Sequence, residues 1–416
     1  MNKHLTTALL LLIGCLPATA QQTERAQVEA AALDYLDGGT YGDTTRLIRA
    51  FHPSATMKFV DKTTGQFRDV PIADYLNRAK ASAGQRANRT TRILAIDITG
   101  TAAQAKLEIN APTHTFIDYF NLLKIDGRWQ VVSKIFNRID KAPLYAPDTV
   151  STNDVFGLTI APDGQTAFFV KSYGGRDTLH LYTTSRQNGQ WQKPSRVPFS
   201  GQYKDIDPFF SPDGSTLIFN SNRPKPGRNQ PGDFDIWAIR RTNKGWSEPY
   251  HLGATVNSDS SDFYASVAAN GTLYFSSTRQ GGLGKADIWR SVQRNGVYQK
   301  PENLGTTLNT GDYEGNPCIA PNEDFIIYVG RDSQQDYGDG DLVISFNQNG
   351  RWSRPQNLGP DINTADAEFA PTLTDGGKTL LFGRIKRGKP LIENVHIIRQ
   401  FDRLVERLRS SAQFDS

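Results

Sequence analysis

Acidic and basic side chains recur at fixed places in the second half of the chain. An acid lies nine residues before a repeated turn, and an arginine lies near the end of the apolar run that follows the turn. The start of one strand and the end of its antiparallel neighbour share one edge, so these charges are predicted to converge on one rim. Such a rim can bind a polar ligand, whereas acid–arginine pairs within each repeat are the structural alternative. The residues are Asp205, Asp262, Glu314, Glu368, Arg223, Arg279, Arg331 and Arg384.

A second set of candidate side chains lies in the first third of the chain. Asp118 and Lys134 fall in the middle of predicted strands, and His52 and Tyr75 are predicted on the helical side. On a concave sheet face these groups would line a polar pocket with an acid/base pair, which suits isomerase or dehydratase chemistry. An Asp118–Lys134 ion pair, or simple alternation on a solvent-facing sheet, is the structural alternative.

The remaining motifs carry weaker chemical signals. The segment 336–341, with three aspartates in six residues, is either a calcium loop or a solvated loop, and it lacks the closing glutamate of an EF-hand. The six histidines show no metal-ligand spacing. No nucleophile elbow or phosphate-cradling loop is present. The sequence therefore predicts no catalytic residue, no metal site and no cofactor.

A clear internal repeat positions the charged rim. A turn motif ends at Gly164, Gly214, Gly271, Glu323 and Gly377, with spacings of 50, 57, 52 and 54 residues, and each turn precedes a four-residue apolar run. An aromatic residue with a proline three positions later marks a further strand in four of the five units. Four antiparallel strands per unit are typical of a propeller blade.

The last unit ends after Asn394–Arg399 and lacks its outer strand. Segment 143–154 resembles the missing piece, so we expect it to pair with that strand and close the ring. The sequence thus predicts an all-β five-bladed β-propeller over residues 142–400. A helical tail at 401–416 is predicted to dock through Leu404, Val405 and Leu408.

The repeats resemble the TolB-type, WD-like propeller repeats of bacterial envelope proteins. The resemblance covers residues 143–400 and rests on "SPDG" at 211–214, "DIW" at 235–237 and 287–289, and the "NLG…N-T" connectors. It departs at His180 and Asn394, where aspartate is expected, and at two of the turns. The family is functionally broad, so the resemblance implies fold more than activity. Some five-bladed propellers are glycoside hydrolases with axial carboxylates, which makes a carbohydrate hydrolase the alternative to a binding rim.

Residues 21–141 follow a different pattern. Val28, Ala31, Ala32 and Tyr35 lie on one helical face, Asp43 is predicted to cap a second helix through Phe51, and "IADYLNRAK" is predicted as a third. Four strands are predicted at 91–98, 103–109, 115–125 and 129–136. The order, and an ending like "FIDYFNLLKIDGRWQVVSKIF", resemble the nuclear transport factor 2-like (SnoaL-like) α+β cone, in particular its lumazine-binding subgroup. That resemblance implies a small-molecule pocket or a face for homodimer formation.

The first twenty residues have the pattern of a signal peptide. Lys3 precedes the apolar run 5–12, and Ala18-Thr19-Ala20 is a small-residue cleavage site; lipidation at Cys15 is the alternative. No other segment is long enough to cross a membrane. The net charge of +4 includes no basic block, which argues against nucleic-acid binding.

These observations predict an exported bacterial binding or scaffold protein, periplasmic or extracellular. The propeller rim would recognise a protein or glycan partner, and the cone would supply a small-molecule pocket or a dimer face. The alternatives are a carbohydrate hydrolase that uses the propeller acids and an isomerase or dehydratase in the cone.

Overall fold

The computed structural model describes residues 18–61, 64–111, 113–332 and 336–414, with side chains from Thr23 onward. The chain divides into two compact units, residues 1–141 and 142–416. Residues 1–17, with Cys15 and most of the predicted signal peptide, lie outside the described residues. Among the described helices, none has the length and apolar character needed to span a bilayer.

The N-terminal unit contains three α-helices and one six-stranded sheet within the described residues. Its elements are α1 (Ala18–Tyr41), α2 (Thr44–Ala50), β1 (Phe51–Val60), β2 (Phe67–Pro71), α3 (Ile72–Ala79), a 3₁₀ turn (Lys80–Ser82), β3 (Thr90–Thr99), β4 (Ala102–Asn110), β5 (His114–Ile125) and β6 (Arg128–Asp140).

The second helix begins as predicted and ends one residue early. The side chain of Asp43 accepts hydrogen bonds from the backbone N–H groups of Thr45 and Arg46, which caps α2. Phe51 has extended backbone angles and begins β1 instead of ending the helix.

The sheet contains two strands, β1 and β2, that the sequence pattern did not predict; only β3 to β6 were expected. The β1 segment contains Pro53, and its pairing with β6 shifts register between Phe51 and Thr56, so its burial does not alternate regularly. The sheet order is β2-β1-β6-β5-β4-β3, with β1 parallel to β6 and the other pairs antiparallel. Helix α1 packs on the inner face, where Tyr35, Leu36, Phe51 and Phe120 are buried in one apolar cluster.

The C-terminal unit is rich in strands. Its elements are β7 (Val155–Ile160), β8 (Thr166–Tyr173), β9 (Thr178–Gln187), β10 (Gln190–Trp191), β11 (Ser195–Arg196), β12 (Asp205–Phe210), β13 (Thr216–Ser221), β14 (Asp235–Thr242), β15 (Gly245–Trp246), β16 (Tyr250–His251), β17 (Asp262–Val267), β18 (Leu273–Ser277), β19 (Asp287–Ser291), β20 (Gln293–Arg294), β21 (Val297–Tyr298), β22 (Glu302–Asn303), β23 (Gly315–Ile319), β24 (Phe325–Gly330), β25 (Asp341–Gln348), β26 (Arg351–Trp352), β27 (Gln356–Asn357), β28 (Ala367–Thr374), a 3₁₀ turn (Asp375–Gly377), β29 (Thr379–Lys386), β30 (Ile392–Arg399) and α4 (Phe401–Arg409).

These strands form antiparallel sheets that follow the sequence repeat. We call them sheet 1 (β7–β11), sheet 2 (β12–β16), sheet 3 (β17–β19 and β22, beside the ribbon β20–β21), sheet 4 (β23–β27) and sheet 5 (β28–β30). The first strand of each sheet contacts the first strand of the next, and β28 of sheet 5 contacts β7 of sheet 1.

Apolar side chains fill the spaces between neighbouring sheets. Phe168 of sheet 1 and Phe219 of sheet 2 share one cluster, and similar clusters join sheets 2 and 3, 3 and 4, and 4 and 5. A fifth cluster places Phe169 of sheet 1 beside Val395 of sheet 5. Each sheet is therefore buried on both faces, which explains the short, continuously apolar runs in the sequence.

The segment before sheet 1 pairs with the last strand, as the sequence predicts. Tyr145 N–H donates to the Val395 carbonyl at 2.8 Å, and Ile397 N–H donates to the Pro143 carbonyl at 3.0 Å. Helix α4 also docks as predicted: Val405 is buried beside Phe346, and Leu404 and Leu408 pack around it.

In sheets 2, 3 and 4, a buried asparagine attaches the connector at the end of the repeat to the third strand of its own sheet. Asn309 accepts a hydrogen bond from Ile288 N–H at 2.8 Å and donates to the Ile288 carbonyl at 3.0 Å. Asn257 and Asn363 make the same pair of bonds to Ile236 and Leu342. The "N-T" connector motif is therefore a structural link between the end of one repeat and the third strand of the same sheet.

We expect Asn309→Ala to destabilise the C-terminal unit by about 1–3 kcal/mol, because it leaves the buried N–H of Ile288 without its partner and removes one of the two donors to the Ile288 carbonyl. Urea unfolding followed by tryptophan fluorescence measures this, since five of the six tryptophans lie in this unit. Asn322→Ala, at an exposed turn position, is the control. Equal unfolding midpoints for the two variants would contradict the structural role of Asn309.

Candidate functional site

The β5–β6 hairpin places the predicted acid and base of the N-terminal unit side by side. On β5, Phe116, Asp118 and Phe120 alternate onto the inner face. On β6, Lys134 lies opposite Phe120, and Phe136 lies opposite Asp118. Asp118 is 0% exposed and Lys134 is 5% exposed, so both charges lie within the unit.

A tyrosine from α1 completes this pair. The Lys134 Nζ atom lies 2.9 Å from Asp118 Oδ2 and donates to the Tyr35 hydroxyl oxygen at 2.5 Å. The Tyr35 hydroxyl in turn donates to Asp118 Oδ2 at 2.7 Å. We call these three residues the Asp118 triad. Its second carboxylate oxygen, Asp118 Oδ1, is buried without a hydrogen-bond partner among the described residues, so it remains available as an acceptor.

Aromatic rings surround the triad. The Tyr75 ring of α3 lies 6.3 Å from the Tyr35 ring, and Lys134 Nζ lies 5.8 Å from the Tyr75 ring centre. Toward the strand ends, the Phe136 ring lies 4.8 Å from Phe59 and 5.6 Å from Phe116, and all three rings are half-buried. The inner face therefore passes from a partly exposed aromatic wall to a buried, charged group, which is the usual composition of a small-molecule site.

Burial changes the protonation behaviour of the triad. Loss of water lowers the pKa of Lys134, an effect that the negative charge of Asp118 partly opposes. Burial, reinforced by the neighbouring Asp118 charge, raises the pKa of Tyr35 well above its ordinary value. Tyr35 therefore remains a hydrogen-bond donor, and Lys134 loses its proton more readily than a surface lysine does.

The structure brings together three of the four predicted cone residues and leaves one apart. Tyr75, Asp118 and Lys134 meet, with the Asp118–Lys134 ion pair that the sequence analysis kept as the alternative. His52 lies on β1, not on the helical side as predicted, and its Nδ1 atom is 2.7 Å from Ser54 Oγ in a partly exposed position. Tyr35 lies on the predicted buried face of α1 but was not among the predicted site residues; the signal for it is that a buried tyrosine hydroxyl requires a partner.

The rim acids and arginines of the C-terminal unit lie at one edge of their sheets, as predicted from the repeat. In sheet 2, Asp205 lies opposite Ser221, and Ser221 lies opposite Asp235. Three of the predicted rim acids form ion pairs within their own sheets: Asp205 with Arg223 at 2.7 Å, Asp262 with Arg279 at 2.5 Å, and Glu368 with Arg384 at 2.6 Å. All three acids are completely buried. These contacts match the alternative interpretation of the repeat, in which each acid pairs with an arginine of its own sheet.

Sheet 4 departs from the pattern. Glu314 accepts hydrogen bonds from the backbone and side chain of Thr310, at 2.8 and 2.6 Å, and has no ion pair with Arg331 among the described contacts. Arg331 lies 3.6 Å from Asp312, and its side chain is 70% exposed. Arg331 is thus the rim arginine that is most accessible to a partner.

Two of the three aspartates of segment 336–341 also have protein partners. Asp339 pairs with Arg387 at 3.1 Å, and Asp341 accepts from the Asn357 side chain at 2.7 Å. Within the described residues, no group of three or more histidine, cysteine or acidic side chains is placed to hold a metal ion.

Comparison with known proteins concerns the N-terminal unit. Residues 23–137 match a family model described as "Putative lumazine-binding". Residues 23–137 form a nuclear transport factor 2-like domain of this lumazine-binding type. The domain is similar to the aldolase FrzH of Cladobotryum sp., with 29% identity over 119 residues that cover 28% of this chain and 91% of that protein.

Solved structures similar to the lumazine-binding-type domain include two nuclear transport factor 2-like proteins of unknown function. The protein from Shewanella baltica is 31% identical, with 28% of this chain and 94% of that chain covered and a TM-score of 0.26. The protein from Methylobacillus flagellatus is 29% identical, with 28% and 92% covered and a TM-score of 0.25.

We expect Lys134→Met to destabilise the lumazine-binding-type domain by about 3–5 kcal/mol, because it leaves Asp118 buried without its cation. The double variant Asp118→Leu/Lys134→Met should lose less than the sum of the two single variants, since neither unpaired charge remains. Hydrogen-exchange mass spectrometry of peptides from residues 23–137 reports the local stability.

The exposed pair of Lys58 and Asp69, 2.8 Å apart, provides the matched control for this cycle. Lys58→Met should cost at most about 1 kcal/mol. A strictly additive double variant would show that the two buried charges do not stabilise each other.

Proposed function

We propose that this protein is an exported small-molecule-binding protein in which the Asp118 triad anchors the ligand. The ligand is a compact aromatic or heteroaromatic compound with a hydrogen-bond donor. The observation that carries this proposal is the unpartnered, buried Asp118 Oδ1 atom at the base of a half-buried aromatic wall. A buried acceptor without a partner costs free energy, and a ligand N–H or O–H group would recover it.

The chemistry of the wall supports a flat ligand. Rings of Phe59, Phe116 and Phe136 can pack against an aromatic face, while Lys134 and Tyr35 hold the Asp118 side chain in place. The family match, described as lumazine-binding, favours the same ligand class, because lumazine is a planar heteroaromatic compound with ring N–H groups.

The second part of the proposal concerns the C-terminal unit, which we infer to be a TolB-type five-bladed β-propeller that acts as a scaffold. The inter-sheet apolar clusters, the contact of β28 with β7 and the pairing of segment 143–154 with β30 support a ring. Its charged rim is proposed to contact a protein or glycan partner, with the exposed Arg331 as the most accessible cation. Export rests on the signal-peptide pattern of the first twenty residues.

We expect the full chain to bind at least one member of a panel of lumazine, riboflavin and simple phenols in isothermal titration calorimetry. Asp118→Asn should weaken binding at least tenfold. The amide has only one acceptor oxygen, and it removes the negative charge that pairs with Lys134. Tyr35→Phe should weaken it by a smaller factor, since one hydrogen bond contributes about 0.5–1.5 kcal/mol.

Asp69→Asn changes an exposed acid of the same domain and should leave the affinity unchanged. If a ligand is found whose affinity is the same in wild type, Asp118→Asn and Phe136→Ala, the ligand site lies elsewhere and the proposal is wrong.

A second candidate function is carbon–carbon bond chemistry at Lys134. A buried lysine whose pKa is lowered by loss of water presents more neutral amine, and such an amine can add to a ketone and lose water to form an imine. Asp118 is adjacent and can accept a proton from the carbon next to the imine. The similarity to an aldolase over 119 residues favours this chemistry.

Borohydride reduction in the presence of acetone or a cyclic ketone tests this candidate. We expect covalent mass addition at Lys134, measured by peptide mass spectrometry, and none at the exposed Lys58 under the same conditions. Labelling that is equal at the two lysines, or absent from both, would remove imine chemistry and leave the binding function untouched.

A further inference from the structure

A second buried carboxyl group lies two residues from a rim acid but has no partner. Asp207 is on β12, at a bulge where the pairing with β13 shifts register between Ile206 and Phe209. Its φ angle is +51°, and the residue as a whole is 7% exposed to solvent. Neither Oδ1 nor Oδ2 has a hydrogen-bond partner among the described residues. The neighbouring rim acid Asp205, in contrast, is bonded to both Arg223 and Ser200.

The same bulge occurs in the first strand of all five sheets. The positions equivalent to Asp207 are Gly157, Tyr264, Asn316 and Ala370, and each has a positive φ between +47° and +58°. All five residues line one narrow cavity of about 30 Å³. Only one of these five equivalent positions therefore has a carboxylate. This makes the site asymmetric, whereas the paired rim acids recur from sheet to sheet.

A wider cavity of about 580 Å³ lies next to the narrow one, since Tyr264 and Asn316 line both. Tyr313 and Arg176 also line the wider cavity, whose lining contains five acidic residues and three arginines. Arg176 does not pair with Asp207: its Nε atom donates to Glu393 at 2.8 Å, and its guanidinium lies 4.7 Å from the Phe156 ring centre. The excess of acid attracts cations.

The chemistry of the site selects among cations. A metal ion requires several ligands, and within the described part of the chain no cluster of three or more acidic, histidine or cysteine side chains is present. An organic ammonium group needs one carboxylate and aromatic faces, which Asp207, Tyr264 and Tyr313 provide. The wider cavity has room for a short alkyl amine.

We propose that the Asp207 pocket, formed by Asp207, Tyr264, Tyr313 and Asn316, binds an organic cation with a primary ammonium group, of the size of a diamine or polyamine. The ammonium pairs with Asp207, and the alkyl chain extends into the wider cavity. This pocket belongs to the C-terminal unit and does not depend on the ligand of the Asp118 triad.

Proton release gives the pocket a measurable signature. Burial raises the pKa of Asp207 to about 8, with Arg176 opposing the shift and Glu393 adding to it. Tyr264 and Tyr313 also face this carboxyl, and burial raises the pKa of both phenols, so they remain neutral. Free Asp207 is therefore mostly protonated at pH 6.5, and an ammonium ligand must displace that proton. The apparent affinity should rise as the pH increases toward 8.

The test is calorimetric titration of the full chain with putrescine and with spermidine at pH 6.5, in two buffers of different ionisation enthalpy. We expect saturable binding of at least one amine, with release of close to one proton per ligand, and no binding of 1,4-butanediol. Asp207→Asn should weaken amine binding at least tenfold. Asp163→Asn, which changes an exposed acid of the turn between β7 and β8, should leave it unchanged.

A second variant keeps the proposal testable if Asp207→Asn does not fold. Tyr313 is 37% exposed, and Tyr313→Ala removes one aromatic face of the pocket, so it should weaken amine binding several-fold. The proposal is overturned by any of three results: no amine binds, butanediol binds equally well, or the folded variants bind with wild-type affinity. Binding of Ca²⁺ at the expense of the amine would also overturn it.

Discussion

A carboxylate that folding removes from water must find a cation or a hydrogen-bond donor, and this requirement organises both units of the protein. In the N-terminal domain, Asp118 is held by Lys134 and Tyr35. In the C-terminal unit, a buried acid at the start of a sheet is held by an arginine near the end of the adjacent strand or just after it, as in Asp205 with Arg223. Each pair joins strands that are neighbours in a sheet, so satisfying the charge also aligns the strands.

The two candidate sites are among the places in the described residues where this requirement is incompletely met. Asp118 has one oxygen without a partner, and Asp207 has two. The first lies beside the Lys134 amine and the Tyr35 hydroxyl, which leave its second oxygen suited to accept a hydrogen bond from a ligand. The second lacks a direct cation, and burial raises its pKa to about 8, which suits a ligand that carries the missing positive charge. The two groups thus differ in the ligand that each one favours, although both are buried aspartates.

Local patterns predicted much of this arrangement. The repeat spacing located the sheets, the rim acids and the pairing of segment 143–154 with the last strand, because turns and short apolar runs are encoded by adjacent residues. The lumazine-binding type of the N-terminal domain was also evident from its helices, hairpins and final strands. In contrast, β1 was missed, since it pairs with β6 from about 80 positions away and contains a proline. His52 was consequently assigned to the wrong side of the domain.

Local sequence specifies which residues are charged, how often they recur and which of them begin or end a strand. Packing between distant segments specifies which charges have partners. Arg331 lies near Asp312 and forms no ion pair with Glu314 among the described contacts, while the equivalent arginines pair with their acids. Asp207 resembles its neighbour Asp205 in sequence, yet the bulge that turns its side chain toward the four other first strands arises where five sheets meet. Partner choice depends on distance and burial, and for residues separated by tens of positions both are set by packing between sheets and not by local sequence.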